Sequence, residues 1–231
     1  MTKKETVLAL IWLPVHMALL PMLAVKLLQA GTVTEGGANL VVYAAGAVYM
    51  LIFLGKYLRR EFDPLCDNIL TVVREILLCY LIMLAMNMMT NGLLAGYEYL
   101  KTGEAALTNP NNSAITEMIF SKDERIIAAM AIFLAPIVEE IIFRGAIFGS
   151  IAKKNRVLAY GVSMVLFGLY HVASFAAQDW HNLIYFIQYL PAGYVLCRCM
   201  ERSKTIWGNI FLHMATNLIA VTVVSEMGSM L

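Results

Sequence analysis

Residues 126–150 read IIAAMAIFLAPIVEEIIFRGAIFGS, from Ile126 to Ser150. An apolar run of this length is long enough to cross a bilayer. Near its middle stand three ionisable side chains, Glu139, Glu140 and Arg144. A charge at that depth costs at least about 2.5–3.5 kcal/mol on insertion scales. Two acids and a base therefore need partners or a task, and the partners must come from other parts of the chain.

The composition fits that setting. Of 231 residues, 60% are hydrophobic and 14% charged, whereas soluble domains run at about 45–50% apolar and about 25% charged. The reading is an all-α polytopic membrane helix bundle, with about seven transmembrane helices plus a short amphipathic helix. A formal net charge of +1 gives no argument for nucleic acid as a partner. The four cysteines, Cys66, Cys79, Cys197 and Cys199, form no C-x-x-C pair and read as small core or helix-end residues.

Hydropathy predicts spans at Thr6–Leu28, Leu40–Leu54, Ile69–Leu94, Ile126–Gly149, Leu158–Ala176, Asn182–Cys199 and Ile206–Val224. Met1–Lys4 before an apolar run has the outline of a signal peptide, but Pro14 and Pro21 interrupt the run, which reads as a retained first span that they kink. His16 is a lone polar residue there, expected to make a structural hydrogen bond. Gly31–Asn39 reads as a loop and Phe62-Asp63-Pro64 as a turn. Arg74 and Glu75 are expected to reach the interface from the first turns of span three. The long polar segment 96–125 contains Ala114–Phe120, whose Ile115, Met118 and Ile119 suggest a helix lying on the membrane. Ser113 and Glu117 stand near a capping box but out of register. Met83, Met86, Met88 and Met89 read as packing or lipid-facing residues. His181 beside Trp180 reads as interfacial. Three regions result: spans one to three (1–95), a polar loop (96–125) and a core of spans four to seven (126–225).

Lysine and arginine collect at the N-terminus and after spans two, four and six, whereas the opposite loops hold only Lys101, Lys122 and Arg125. This predicts a cytoplasmic N-terminus and an extracytoplasmic C-terminus. No internal repeat is visible, which disfavours an inverted-repeat transporter.

The polar groups of spans four to seven are spaced for chemistry. Glu140 and Arg144 share a helix face, as do Phe167 and His171, and His213 and Asn217. Gln188 and Asn209 are further polar groups in spans six and seven. Glu139 points about 100° away from Glu140. Glu140 can neutralise Arg144, while Glu139 needs something from another span, and the two histidines are the candidates. A glutamate and a histidine can hold a water with the glutamate as general base. Histidine and asparagine can donate to a developing oxyanion.

Glu139-Glu140-Ile-Ile-Phe-Arg144 resembles the EExxxR motif of the CPBP intramembrane proteases, a group that includes the type II CAAX prenyl endopeptidases and the bacterial Abi-type proteins. Phe167-Gly-Leu-Tyr-His171 is similar to the family's FxxxH motif, and His213-Met-Ala-Thr-Asn217 to its HxxxN motif. The three occur in order over about 125–224. The resemblance implies that Glu139 and His171 activate water and that His213 and Asn217 stabilise the oxyanion. It also implies that Glu140 and Arg144 position the site, with Phe167 packing against it, and that the site opens toward the cytoplasmic side. His171 lies nearer the outer end of its span than Glu139 does to the outer end of its own, so span five begins later or the helices tilt.

Glu139, His171 and His213 are also a possible zinc set, since His₂Glu is one. There is no H-E-x-x-H and the groups come from three helices, so a metal-free water is preferred, with a divalent metal such as zinc the alternative. Ser163 would need a base aimed at it, and Cys79 lies near no motif. The expected activity is cleavage of a membrane-associated peptide or lipidated protein in a bacterial cell membrane, with lipids the other partner. Competing readings are a non-catalytic immunity or scaffold protein of the same fold, and a proton-coupled carrier.

Overall fold

Side-chain caps start several of the long helices. Thr2 and Glu5 form a reciprocal capping box that starts α1, Lys3–Gln29. Between Pro14 and Pro21 the backbone of α1 widens into a π-helical run, Val15–Leu19, where the missing proline donors loosen the ladder. Thr34 accepts from the Gly37 amide and starts α2, Glu35–Arg60. The expected loop 31–39 is thus half helix, because Thr34-Glu35 is a start signal. The computed structural model describes residues 1–104, 109–121 and 123–229; Lys122, counted above for orientation, lies outside them.

Phe62-Asp63-Pro64 opens a short helix, α3 (Phe62–Asp67), rather than a simple turn; proline is tolerated in a first helical turn. Helix α4, Ile69–Thr102, overruns the expected end by two turns and stops at Gly103, whose φ of 82° is the left-handed stop that glycine adopts freely. Helix α5 is Pro110–Ile119. Its cap is Asn109, whose side chain accepts from the Asn111 and Asn112 amides, so Ser113 is inside the helix. Its Ile115, Met118 and Ile119 pack on Tyr43, Ile127, Met130, Val221 and Val224. The apolar face expected on lipid is therefore spent on the end of the bundle.

Four further helices follow: α6 (Arg125–Ile151), α7 (Arg156–Ala176), α8 (Trp180–Ser203) and α9 (Ile206–Glu226). With α1, α2 and α4 they make seven helices long and apolar enough to cross a membrane, and no strand occurs among the described residues. The chain is an integral membrane protein with an all-α bundle. Helix α6 is the axis: 61% of its apolar window is buried, against 17–39% for the others. Ala135–Glu140 is α-helical, flanked by π-helical runs at Met130–Leu134 and Ile141–Phe148. Such widenings re-aim side chains and favour functional sites.

Around α6 lies the main core, with Met50, Leu54 and Tyr57 of α2, Phe167 of α7, Leu196 of α8 and Ile210 of α9. Cys79, Cys197 and Cys199 are buried and Cys66 is exposed. Met83 is buried, and Met88 and Met89 face outward. Glu75 does not snorkel to the interface. It is buried and paired with Arg74 and with Arg198 of α8.

Helix α7 does not begin late. Counted from the loop it shares with α6, Glu139 is about 18 Å and His171 about 22 Å along their helices, at 1.5 Å per residue. They are thus nearly level, and the inequality lies at the other end. Helix α7 stops only about 8 Å beyond His171, whereas α6 runs about 21 Å beyond Glu139. The chain returns from this shortfall through a 3-10 run, Trp180–Tyr189, that continues into the α-helical Leu190–Ser203.

Candidate functional site

Glu139 and Glu140 leave α6 in different directions, as their spacing requires. Glu140 is fully buried and saturated: Oε1 accepts from Arg144 at 3.2 Å and from His213 Nδ1 at 2.8 Å, and Oε2 accepts from Asn209 at 3.1 Å. Asn209 also donates to the Leu196 carbonyl. One carboxylate therefore ties α6 to α9, and through Asn209 to α8. Arg144, also without exposure, is covered by the Phe167 ring, 4.1 Å from guanidinium carbon to ring centroid, and reaches the Gly193 carbonyl at 3.4 Å. Phe167 thus holds a cation as well as packing.

Glu139 is the contrast. It is buried, and its Oε2 has no hydrogen-bond partner. That oxygen stands 3.8 Å from His171 Nε2 and 3.9 Å from His213 Nε2, beyond a direct hydrogen bond to either. Both ring orientations are set from behind. His171 Nδ1 lies 2.8 Å from the Phe167 carbonyl, which only accepts, so Nδ1 carries the hydrogen. His213 Nδ1 meets the Glu140 carboxylate in the same way. In their neutral forms both rings turn an Nε2 lone pair toward Glu139. Water has two hydrogens, enough for Glu139 Oε2 and one of the imidazoles, and at about 2.8 Å from each of those atoms it spans the gap.

The same three atoms were the candidate zinc set. A tetrahedral site with bonds of about 2.0–2.1 Å holds its ligand atoms about 3.4 Å apart. The spacing found is wider, and no three His, Cys, Asp or Glu groups lie close enough for a metal among the described residues.

Asn217 is placed differently from the expectation. Its amide donates to the Ala131 carbonyl at 2.7 Å. In the π-helical run this carbonyl would take its bond from residue 136, which is a proline, so Asn217 fills a vacancy made by the sequence. One amide hydrogen remains for other use. Ser163 donates to the Phe143 carbonyl, and Cys79 lies beside Arg198.

Three contributions were not assigned from sequence. Asn209 was noted as polar but given no task, although it precedes His213 by one turn and shares its face. The Tyr189 ring stacks on His171, 4.5 Å between centroids and 22° between planes. The Tyr170 hydroxyl meets His16 Nε2 at 2.8 Å and the Tyr43 hydroxyl at 3.0 Å, so α1 and α2 reach the residue next to His171. The structural hydrogen bond expected of His16 is this one.

A cavity of about 960 Å³ has His16, Tyr43, Tyr170 and His171 in its lining. It runs between α1, α2, α5 and α7 to the end of the bundle opposite the basic loops, where Thr34, Ser121 and Asp123 lie. Of the expected catalytic residues its lining includes His171 and not Glu139, His213 or Asn217, so it reaches the edge of the site from the end opposite the basic loops.

Residues 122–219 match the family model described as Type II CAAX prenyl endopeptidase Rce1-like. A protein of Bacillus subtilis (strain 168) named "Putative membrane peptidase YdiL" is 30% identical over 133 residues, 57% of this chain and 50% of that one. The match thus spans about half the length of that relative. No solved structure matches the chain. EExxxR, FxxxH and HxxxN lie on α6, α7 and α9, and the segment similar to that family model encloses all three.

Proposed function

We propose that this protein is an intramembrane endopeptidase that hydrolyses a peptide bond in a membrane-associated peptide or lipidated protein. The observation that carries the reading is the unpartnered Oε2 of buried Glu139 between the Nε2 atoms of His171 and His213. The similarity of residues 122–219 to the family model and the relative's name support peptidase chemistry in general.

In this mechanism water sits between Glu139 and His171. Glu139 takes one of its protons as the oxygen attacks the scissile carbonyl carbon. The carbonyl π pair moves to oxygen, giving a tetrahedral oxyanion. His213, when protonated and backed by the Glu140 carboxylate, donates from Nε2, and Asn217 offers its second amide hydrogen. Collapse of the intermediate breaks the C–N bond, and Glu139 returns its proton to the leaving nitrogen. Glu140, Arg144, Asn209 and Phe167 hold this geometry. The spacing favours water without a metal.

The asymmetry of lysine and arginine supports a cytoplasmic N-terminus and an extracytoplasmic C-terminus, and the Bacillus subtilis relative supports a bacterial cell membrane. The test is cleavage of quenched fluorescent peptides by purified protein in vesicles. Glu139→Gln and His171→Ala are each expected to lower turnover by at least about a hundredfold, the lower range for a general base. Undiminished turnover in both removes the protease reading. A biological effect that survives Glu139→Gln identifies a non-catalytic immunity or scaffold protein instead.

A further inference from the structure

His171 has one fixed bond and one loose torsion. Its Nδ1 is tied to the Phe167 carbonyl at 2.8 Å. The torsion that sets the plane of an imidazole is broad, so the helix backbone alone does not aim Nε2 at Glu139, 3.8 Å away. The Tyr189 ring limits that plane. It lies on the imidazole at 4.5 Å between centroids and 22° between planes. Tyr170 meets the same imidazole edge-on at 87° and Phe167 is tilted at 58°, so neither lies parallel to it.

Tyr189 is itself held at its far end. It closes the 3-10 run of α8. Its hydroxyl accepts from Asn111 at 3.0 Å and from Asn109 at 3.3 Å. Asn109, the cap of α5, is 3% exposed and also donates to Gln188. Gln188 donates in turn to Asn91 of α4 at 3.2 Å. Groups from α4, α5 and α8 thus converge on one phenol. A tyrosine hydroxyl lies on the ring axis, so holding it keeps that axis over the imidazole.

We infer that Tyr189 is a positioning residue: anchored by Asn109 and Asn111, it fixes the plane of His171 and with it the aim of Nε2. That role rests on the protease reading; the clamp itself does not. The Nε2 lone pair lies in the ring plane, and a hydrogen bond weakens steeply as its angle departs from straight. An imidazole tilted about its Nδ1 bond turns the lone pair away from the water. The cavity lining includes His171 and not Tyr189, so the cost falls on kcat rather than on KM.

The first measurement is cleavage of quenched fluorescent peptides in vesicles, well below the Tm of each variant. Tyr189→Leu is expected to lower kcat about ten- to hundredfold, the upper figure being the cost of a misplacement of about 1 Å, with KM unchanged. Tyr189→Phe keeps the ring and loses the anchor, and is expected to lower kcat about two- to tenfold, the range of one neutral hydrogen bond. Asn111→Ala removes one of the same bonds from the other side. The double variant Tyr189→Phe/Asn111→Ala should therefore fall no further than the worse of its two parents. The second measurement is the ring-proton NMR signal of His171 in histidine-labelled protein, identified by its loss in His171→Ala. A ring proton over a stacked phenol is shielded. The signal should move downfield in Tyr189→Leu and stay near its place in Tyr189→Phe.

A raised KM with kcat intact makes Tyr189 a substrate contact and overturns the inference. So does a fall in kcat with an unmoved His171 signal, which marks general loosening, or a moved signal with kcat intact. Should Tyr189→Leu fail to fold, the Tyr189→Phe and Asn111→Ala pair decides: no loss in either, or losses that add, overturns the inference. A parent protein that cleaves nothing, with the His171 signal moving as expected, removes the protease reading and leaves the clamp standing.

Discussion

His213 of α9 donates from Nδ1 to Oε1 of Glu140 on α6 at 2.8 Å. This bond fixes which face of the imidazole looks at Glu139, and it lies in a cluster with almost no solvent. Removing the carboxylate strands more than one group, since Arg144 and Asn209 share it. Glu140→Ala is therefore expected to cost about 3–5 kcal/mol, the cost of breaking a buried pair from one side. Glu140→Gln keeps an acceptor and should cost less. Thermal unfolding in detergent measures both; an unchanged Tm in Glu140→Ala contradicts the assignment.

Phe167 lies against Arg144 on one side and His171 on the other, at 4.1 and 4.5 Å. Phe167→Leu keeps an apolar side chain but removes the ring face. The lost cation–π contact accounts for about 2 kcal/mol at a desolvated site. Turnover is expected to fall along with Tm, because His171 loses a wall. A variant of normal Tm and normal turnover would show Phe167 to be simple filler.

At Gly193, α8 packs closely on α7. A Cβ there would meet the Met164 Cα at 3.1 Å, and the Gly193 carbonyl is a partner of Arg144. Gly193→Ala is expected to push the helices apart, with a loss of about 1–3 kcal/mol, as for other overpacked sites. Denaturant or thermal unfolding reads it directly.

The spans and the motif residues were legible because lipid makes both conspicuous: long apolar runs on one hand, and ionisable groups that should not be inside them on the other. Glu140 with Arg144 could be paired from spacing alone. What the sequence did not disclose depends on departures from regular helix. The shortfall of α7 and the 3-10 start of α8 made His171 look misplaced. The bond from Asn217 to Ala131 follows from Pro136 inside a π-helical run, and no periodicity argument assumes such a run. The reach of His16 to Tyr170 joins residues far apart in sequence, so a single sequence shows only a lone histidine.

Glu61 lies between α2 and α3, outside the spans. Its carboxylate accepts from the Ile206 amide at 3.3 Å. Burial pushes its pKa above the ordinary value, outweighing that bond. The folded form thus favours the proton more than the unfolded form does. Its contribution to stability is full below the unfolded pKa, about 4.3. It is lost as pH rises through the higher folded value. Glu61→Gln keeps an acceptor for Ile206 and does not titrate. The variant should therefore lose less stability than the parent between pH 4 and neutrality, about the window set by these values. Parallel unfolding curves across that range would refute the account.

Metal removal tests the water-centred site most directly. A bound zinc would draw Glu139 Oε2 and the two Nε2 atoms to about 3.4 Å from one another. They stand at 3.8 and 3.9 Å instead, each ring held from behind by the Phe167 carbonyl or Glu140. Such backing also suits metal-ligating histidines, so the separation carries the argument. Protein dialysed against a strong chelator is expected to keep its cleavage rate and to contain much less than one zinc per chain by elemental analysis. Loss of activity that returns with added zinc, and fails to return in His171→Ala or His213→Ala, would show that the three groups close on a metal, and would replace the free water with a metal-bound one.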